Sequence, residues 1–178
     1  MKKTLFIMLP TLLLWLFVSC VNGNSTKNQD EMKFNMYANK EYNYALVLPE
    51  GFSFDREYVD LEGGGHAMSL FVWGACEISV EATKVYEGML PIEESFNLAK
   101  VCDTIYAEDF EANMIDSTSY LIKVHSVNET IYENYLRASY VCRKNGMNYE
   151  IEFRYPLAKK DRFEKDVDEV VKSFKTIE

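Results

Sequence analysis

LRASYVCRKNGMNYEIEFRY, residues 136–155, reads as two strands folded about Asn145-Gly146. Asn-Gly supplies the positive φ that a type I′ turn demands at both central positions. Folding there sets Cys142 opposite Tyr149, Tyr140 opposite Ile151, Ala138 opposite Phe153 and Leu136 opposite Tyr155, four apolar pairs on one face. The other face pairs Val141 with Glu150, Ser139 with Glu152 and Arg137 with Arg154, with Glu152 diagonal to Arg137 to relieve the like charges. A slip of one residue would turn every apolar side chain to the wrong face, so turn chemistry and alternation specify the same register.

On the C-terminal side Pro156 ends the strand, and Phe163, Val167, Val170, Val171 and Phe174 then recur at helical spacing. Asp161, three residues before Glu164, is placed to cap this helix. On the N-terminal side residues 120–127 read as a further strand, preceded by a helix that starts at Pro91, a residue suited to the first helical position. Glu93 and Glu94 lie where the helix dipole favours negative charge. Ile92, Phe96, Ala99, Asp103 and Tyr106 trace the inner stripe of that helix, and Leu98, Val101, Cys102 and Ile105 widen it. Earlier still, residues 42–48 form a strand closed by Pro49-Glu50-Gly51, and residues 67–73 and 76–83 are separated by Gly74-Ala75. In the latter, Cys76, Ile78, Val80 and Ala82 alternate with Glu77, Ser79, Glu81 and Thr83, giving one core face and one wet face. The order β-β-β-α-β-β-β-α with short connections predicts a single α+β domain, an antiparallel sheet of about six strands packed with two amphipathic helices.

Composition agrees with one globular domain: 48% of residues are hydrophobic and 14% aromatic. The formal net charge is −9, a poor match to nucleic acid or to an anionic membrane face. Residues 1–19 have the layout of a cleaved leader, with Lys2 and Lys3 followed by an apolar run over residues 5–18. That run is short of the about 20 residues that span a bilayer, and Pro10 interrupts it. Loss of Lys2 and Lys3 with the leader takes the charge from −9 to −11. Residues 21–33, VNGNSTKNQDEMK, carry little apolar surface to bury and read as a flexible tether that reaches roughly 20 Å.

Two resemblances follow. Lys2-Lys3, the apolar run and Ser19-Cys20 are similar to a bacterial lipoprotein signal, which implies that Cys20 is lipidated and becomes the first mature residue. The implied organisation is a signal peptide at 1–19, a lipidated Cys20 with its tether at 20–33, and a domain at 34–178. Diacylglyceryl lipidation implies stable attachment, since two acyl chains hold a protein where one does so marginally. The expected address is the cell envelope of a Gram-negative bacterium, lipid-anchored at the outer membrane with the face left open. The second resemblance is to PsbP-like domains. It rests on residues 149–177, a strand ending in Phe153-Arg154-Tyr155-Pro156 followed by a helix closing on Lys172-Ser173-Phe174-Lys175, and on residues 44–52, YALVLPEGF. It implies an antiparallel sheet between helices. Because that family includes photosystem accessory proteins, a nuclear transport factor and many bacterial lipoproteins, it also implies binding or assembly more than catalysis, and it carries over no catalytic residue.

With Cys20 assigned to lipid, Cys76, Cys102 and Cys142 remain. Cys76 and Cys142 fall on core faces of strands and Cys102 on the inner flank of the first helix. Two readings stay open, three buried thiols or one disulfide among them with one thiol left. The two histidines, His66 after Gly63-Gly64-Gly65 and His125, belong to no zinc-protease motif, the glycines lack the Lys-Ser/Thr of a phosphate loop, and no Gly-x-Ser-x-Gly occurs. The sequence therefore offers no catalytic set and no metal ligands, and it calls for no cofactor. Tyr132, Tyr135 and Trp73 fall off the core pattern and are candidates to face a ligand such as a glycan. Asp116-Ser117-Thr118 resembles a periplasmic O-glycosylation acceptor, which implies Ser117 as the modified residue; as a bare tripeptide it reads as a polar turn. The expected function is a membrane-anchored, non-catalytic binding or assembly module acting on an envelope protein or glycan. The alternative is an envelope hydrolase or metal-dependent enzyme whose site is assembled from scattered residues. His66, His125 and carboxylates meeting in one concavity would favour the enzyme; an uncovered sheet edge or continuous apolar surface would favour the module.

Overall fold

The Asn145-Gly146 hairpin closes in the expected register, with all seven pairs named above facing each other. Asn145 and Gly146 take φ of 53° and 75°. In the computed structural model, which describes residues 35–59, 66–104, 107–128 and 133–177, this hairpin lies within a seven-stranded antiparallel sheet. The elements in chain order are β1 (Met36–Asn39), β2 (Tyr44–Val47), β3 (Ser53–Val59), β4 (His66–Trp73), β5 (Cys76–Lys84), α1 (Ile92–Thr104), β6 (Ala107–Asp116), β7 (Ser119–Asn128), β8 (Glu133–Lys144), β9 (Met147–Pro156), α2 (Lys160–Ser173) and β10 (Lys175–Thr176). The large sheet runs β3-β4-β5-β9-β8-β7-β6, and a small one runs β1-β2-β10.

The α+β class and both helices stand, but the described residues hold ten strands in two sheets where about six in one were expected. The unread strands have a physical reason in common. β3 and β6 are the two edges of the large sheet, largely exposed and bulged, so neither carries a clean core alternation. β1 and β10 are four and two residues long.

One face of the large sheet is closed. Ile78, Val80, Ala138, Ile151, Phe153 and Tyr155 are sealed there beneath α2 and the small sheet. Phe163, Val167 and Val170 of α2 are fully buried against them, each such side chain contributing ~1.5–3 kcal/mol. Tyr37 and Tyr44 of the small sheet both reach the Ser69 hydroxyl on β4, at 3.2 and 2.8 Å. Asp161 does not cap α2; the helix follows a 3-10 turn at Leu157–Lys159, with Lys159 as N-cap and no side-chain cap, and Asp161 falls in its first turn. There its charge complements the helix dipole. Phe174 lies just past the helix, packed on Tyr44, Tyr140 and Tyr149.

The opposite face is only half closed. α1 lays Ile92, Phe96 and Ala99 over Tyr120, Ile122, Val124, Val141, Phe110 and Ala112. The wider stripe expected for this helix is a correction: Leu98 and Val101 are 55% and 62% exposed, and Cys102 is exposed rather than on an inner flank. Ile92, Phe96 and Ala99 make the helix's apolar contact with the sheet, and the flank that carries Leu98, Val101 and Cys102 is left outside it. Ile105 and Tyr106 lie outside the described residues.

Candidate recognition surface

Beyond the strip under α1, the half-open face continues across β9, β5, β4 and β3 with no described element above it. The register builds this surface row by row. Met68 faces Glu81, Glu81 faces Glu150 and Glu150 faces Val141 in one row; Leu70, Ser79, Glu152 and Ser139 form the next. Met68 and Leu70 are half-buried, so β4 contributes an apolar strip beside an acidic one. Glu81 and Glu150 are direct cross-strand neighbours of like charge, an arrangement that destabilises a sheet. The Ser139 hydroxyl donates to Glu150 Oε1 at 2.9 Å. Burial first, then the nearby Glu81 and Glu152, push the Glu150 carboxyl above its ordinary range, against the opposite pull of Ser139 and Arg137.

The border with α1 is polar. Arg137 donates to Asp103, while Arg143 reaches the Ser95 hydroxyl at 3.2 Å and the Leu90 carbonyl. Asp103 therefore belongs to the inner stripe as the partner of Arg137. The Arg137–Arg154 repulsion is relieved by Asp103 on one side and by Glu152, 3.5 Å from Arg154, on the other. Leu98 and Cys102 follow Ser95 by three and seven positions, so they share its flank, the one turned toward the bare half.

The remaining sequence candidates are dispersed. His66 is on β4 and faces the half-open side, 3.2 Å from Glu81; His125 is on β7 and faces the closed side, 3.4 Å from Glu108. Traced through the register, they are level with Asn148 and Tyr155 at opposite ends of β9, about 23 Å apart along it. Among the described residues no group of three His, Cys, Asp or Glu is arranged to hold a metal ion. All three described cysteines are free. Cys76 is level with Tyr155 and Cys142 with Tyr149, some 20 Å apart along the sheet, and Cys102 is across it, so none meets another within the 4.4–6.8 Å that a disulfide spans at roughly its usual Cα separation. Burial raises both the Cys76 and Cys142 thiols.

Trp73 and Tyr135 are engaged by the protein's own cations. Lys159 and Arg162 stand 4.9 and 4.0 Å from the Trp73 ring centre, and Arg154 stands 5.5 Å from that of Tyr135. Gly51, at φ 91°, lies against Trp73, where a Cβ would come within 2.8 Å of the ring. Arg162 also donates to Asp166 at 2.8 Å, and Asp166 accepts from the Tyr155 hydroxyl at 2.8 Å. That buried set locks α2 to the sheet. Ser117 sits in the exposed β6–β7 turn, where Asp116 accepts from the Thr118 backbone and hydroxyl and from the Ser119 hydroxyl. These bonds hold the Asp116 carboxyl below its ordinary range. Cys20, residues 1–33, Gly63-Gly64-Gly65 and Tyr132 lie outside the described residues.

Glu81 opposite Glu150 is the feature missed in sequence. Each was legible as a wet-face residue, but their meeting requires β5 to pair with β9, a contact no local signal announces.

An antiparallel sheet covered on one face by a C-terminal helix and a small sheet, and on the other by a helix inserted between its strands, is a PsbP-like fold. Cyanobacterial PsbP (CyanoP) from Synechocystis sp. PCC 6803 is similar with a TM-score of 0.52 over 85% of this chain and 98% of its own, at 14% identity. LpqN, involved in cell envelope biogenesis of Mycobacterium tuberculosis, is similar with a TM-score of 0.52 over 76% of this chain and 83% of its own, at 8% identity. At these identities the likeness is one of fold. No family model and no curated protein matches the chain.

Proposed function

We propose that this chain is an envelope lipoprotein held at the outer membrane through Cys20, and that its domain is a non-catalytic binding or assembly module. The observation that carries the reading is the bare half of the sheet, an apolar strip on β4 beside an acidic strip on β5 and β9. Both sheet edges, β3 and β6, also pair on one side only. Isolated domains seldom leave broad apolar surface open, and this strip, with exposed Tyr58 opposite Met68 on β3 and exposed Leu98 on α1, suits a partner. The envelope setting draws on the leader with Ser19-Cys20 and on the role of LpqN in envelope biogenesis. No described helix is long and apolar enough to cross a membrane; in this reading the attachment is the lipid on Cys20.

Two substitutions in the full chain test it. Cys20→Ser should abolish incorporation of an alkyne fatty acid and release the domain from the outer-membrane fraction; persistent labelling would remove the anchor. In-cell cross-linking should trap a defined partner product that Leu70→Arg eliminates. A partner product unchanged by Leu70→Arg would exclude the bare half-face as the recognition surface.

A further inference from the structure

The bare half-face has the dimensions of a missing helix. Seven strands spaced ~4.8 Å apart make a sheet about 29 Å across, while a helix with its side chains is about 10–12 Å wide. Two helices fit side by side, and α1 fills one place over β6 and β7. We infer that the other place, over β9, β5 and β4, receives an α-helix of a partner protein that carries an apolar stripe flanked by Lys or Arg. This rests on the binding-module reading and names the partner's chemistry.

The helical form follows from hydrogen bonding. The floor is a sheet face, and the backbone groups of β4, β5 and β9 are already used in ladders on both sides. An extended segment laid there would find no backbone partners, whereas a helix satisfies its own. The stripe follows from Met68 and Leu70 in the floor and Leu98 in the α1 wall. The positive charge follows from Glu81 and Glu150, set directly against each other, with Glu152 on the next row; His66 reaches Glu81 from the edge and Arg154 stands 3.5 Å from Glu152, which leaves the Glu81–Glu150 contact as the one to be neutralised. A cation lowered onto that row removes the repulsion that the free protein carries. A second copy of this chain does not suit the place. Its net charge is −9, and its own exposed helix α1 presents Glu93 and Glu94.

The test uses the full chain and three 18-residue peptides: a helix with a leucine stripe flanked by lysines, its counterpart with glutamates for lysines, and a scrambled lysine peptide of identical composition without a stripe. Binding is read by fluorescence anisotropy at low and physiological salt, and occupancy by the rate of Cys102 alkylation followed by peptide mass spectrometry. The leucine–lysine helix should bind with salt-sensitive affinity and slow Cys102 alkylation, while the other two bind neither measurably nor protectively. Replacing Glu81, Glu150 and Glu152 by Gln together should weaken binding at least about tenfold. Leu98→Ser, at a position 55% exposed, removes apolar contact without adding charge and should weaken it comparably. Equal binding of the scrambled peptide, unchanged affinity of the triple variant, or unprotected Cys102 in the saturated complex would each overturn the inference. A cellular cross-link that Leu70→Arg abolishes but the triple variant leaves intact would overturn the cationic helix and spare the binding module; absence of any such cross-link would remove both.

Discussion

α2 buries Phe163, Val167, Val170 and even the carboxylate Asp166, whereas α1, 13 residues to its 14, has no fully buried residue. Both helices are amphipathic and both lie on the same sheet, so the difference arises in what the sheet offers them. The closed face presents apolar side chains from five neighbouring strands, β4, β5, β9, β8 and β7, and closes over α2 and the small sheet. The half-open face presents them chiefly from β7 and β6, then turns polar at Arg137 and Ser139 and acidic at Glu150. α1 covers the apolar strip and stops where the acids begin. One face is sealed by its helix and the small sheet, and the other is covered by its helix over only part of its width.

The largest test of this contrast is a pair of truncations. Phe163→Ala on α2 should cost ~3–5 kcal/mol, the loss expected for a fully enclosed aromatic, and Phe96→Ala on α1 about half of that because it is only half-buried. Equal losses in urea unfolding would break the comparison. Next comes Asp166→Ala, which leaves the buried Tyr155 hydroxyl without its acceptor and Arg162 without its counter-charge, with the Glu50 carbonyl still accepting from it, and should destabilise by ~3 kcal/mol. Retention of most of the stability would mean that the network is not what fixes α2 to the sheet.

The smallest effect has the opposite sign. The Glu150 carboxyl is raised in the folded protein, so folding is penalised when it is ionised; its contribution is fully present below the unfolded value near 4.5 and is lost as pH rises through the folded pKa. Glu150→Gln keeps an acceptor for Ser139 and removes the charge. It should stabilise the protein at neutral pH by ~0.2–1 kcal/mol, with the gain fading as pH falls through the folded pKa and absent below about 4.5. Thermal melts across that range check it. A destabilised variant at pH 7 would show that the acidic row is already neutralised within the free protein.

How much of this was legible varies by element. The Asn145-Gly146 hairpin was read to the residue because a two-residue turn and its flanking alternation are local and mutually consistent. The α2 stripe was read correctly too, although its start was not, since a 3-10 turn rather than the Asp161 side chain begins the helix. On α1 the apolar spacing of Leu98, Val101 and Cys102 was real but misleading. Spacing reports which side chains share a flank and is silent on whether anything packs there. The same limit hid β3 and β6, whose edge positions remove the alternation by which strands are recognised.

Residues 136–155, the turn glycines and the helical stripes thus contain the α+β class and the central register, because turn conformation and side-chain periodicity are short-range physics. The leader and Cys20 are likewise written in local chemistry, as an address to be tested. The candidate surface is of another kind. It exists because β5 came to lie against β9, bringing Glu77 beside Arg154 and Glu81 beside Glu150 from strands separated in the chain by α1 and three further strands. Strand neighbours are selected by the burial of the whole core on the closed face, and the residues that end up together on the other face are a consequence of that choice.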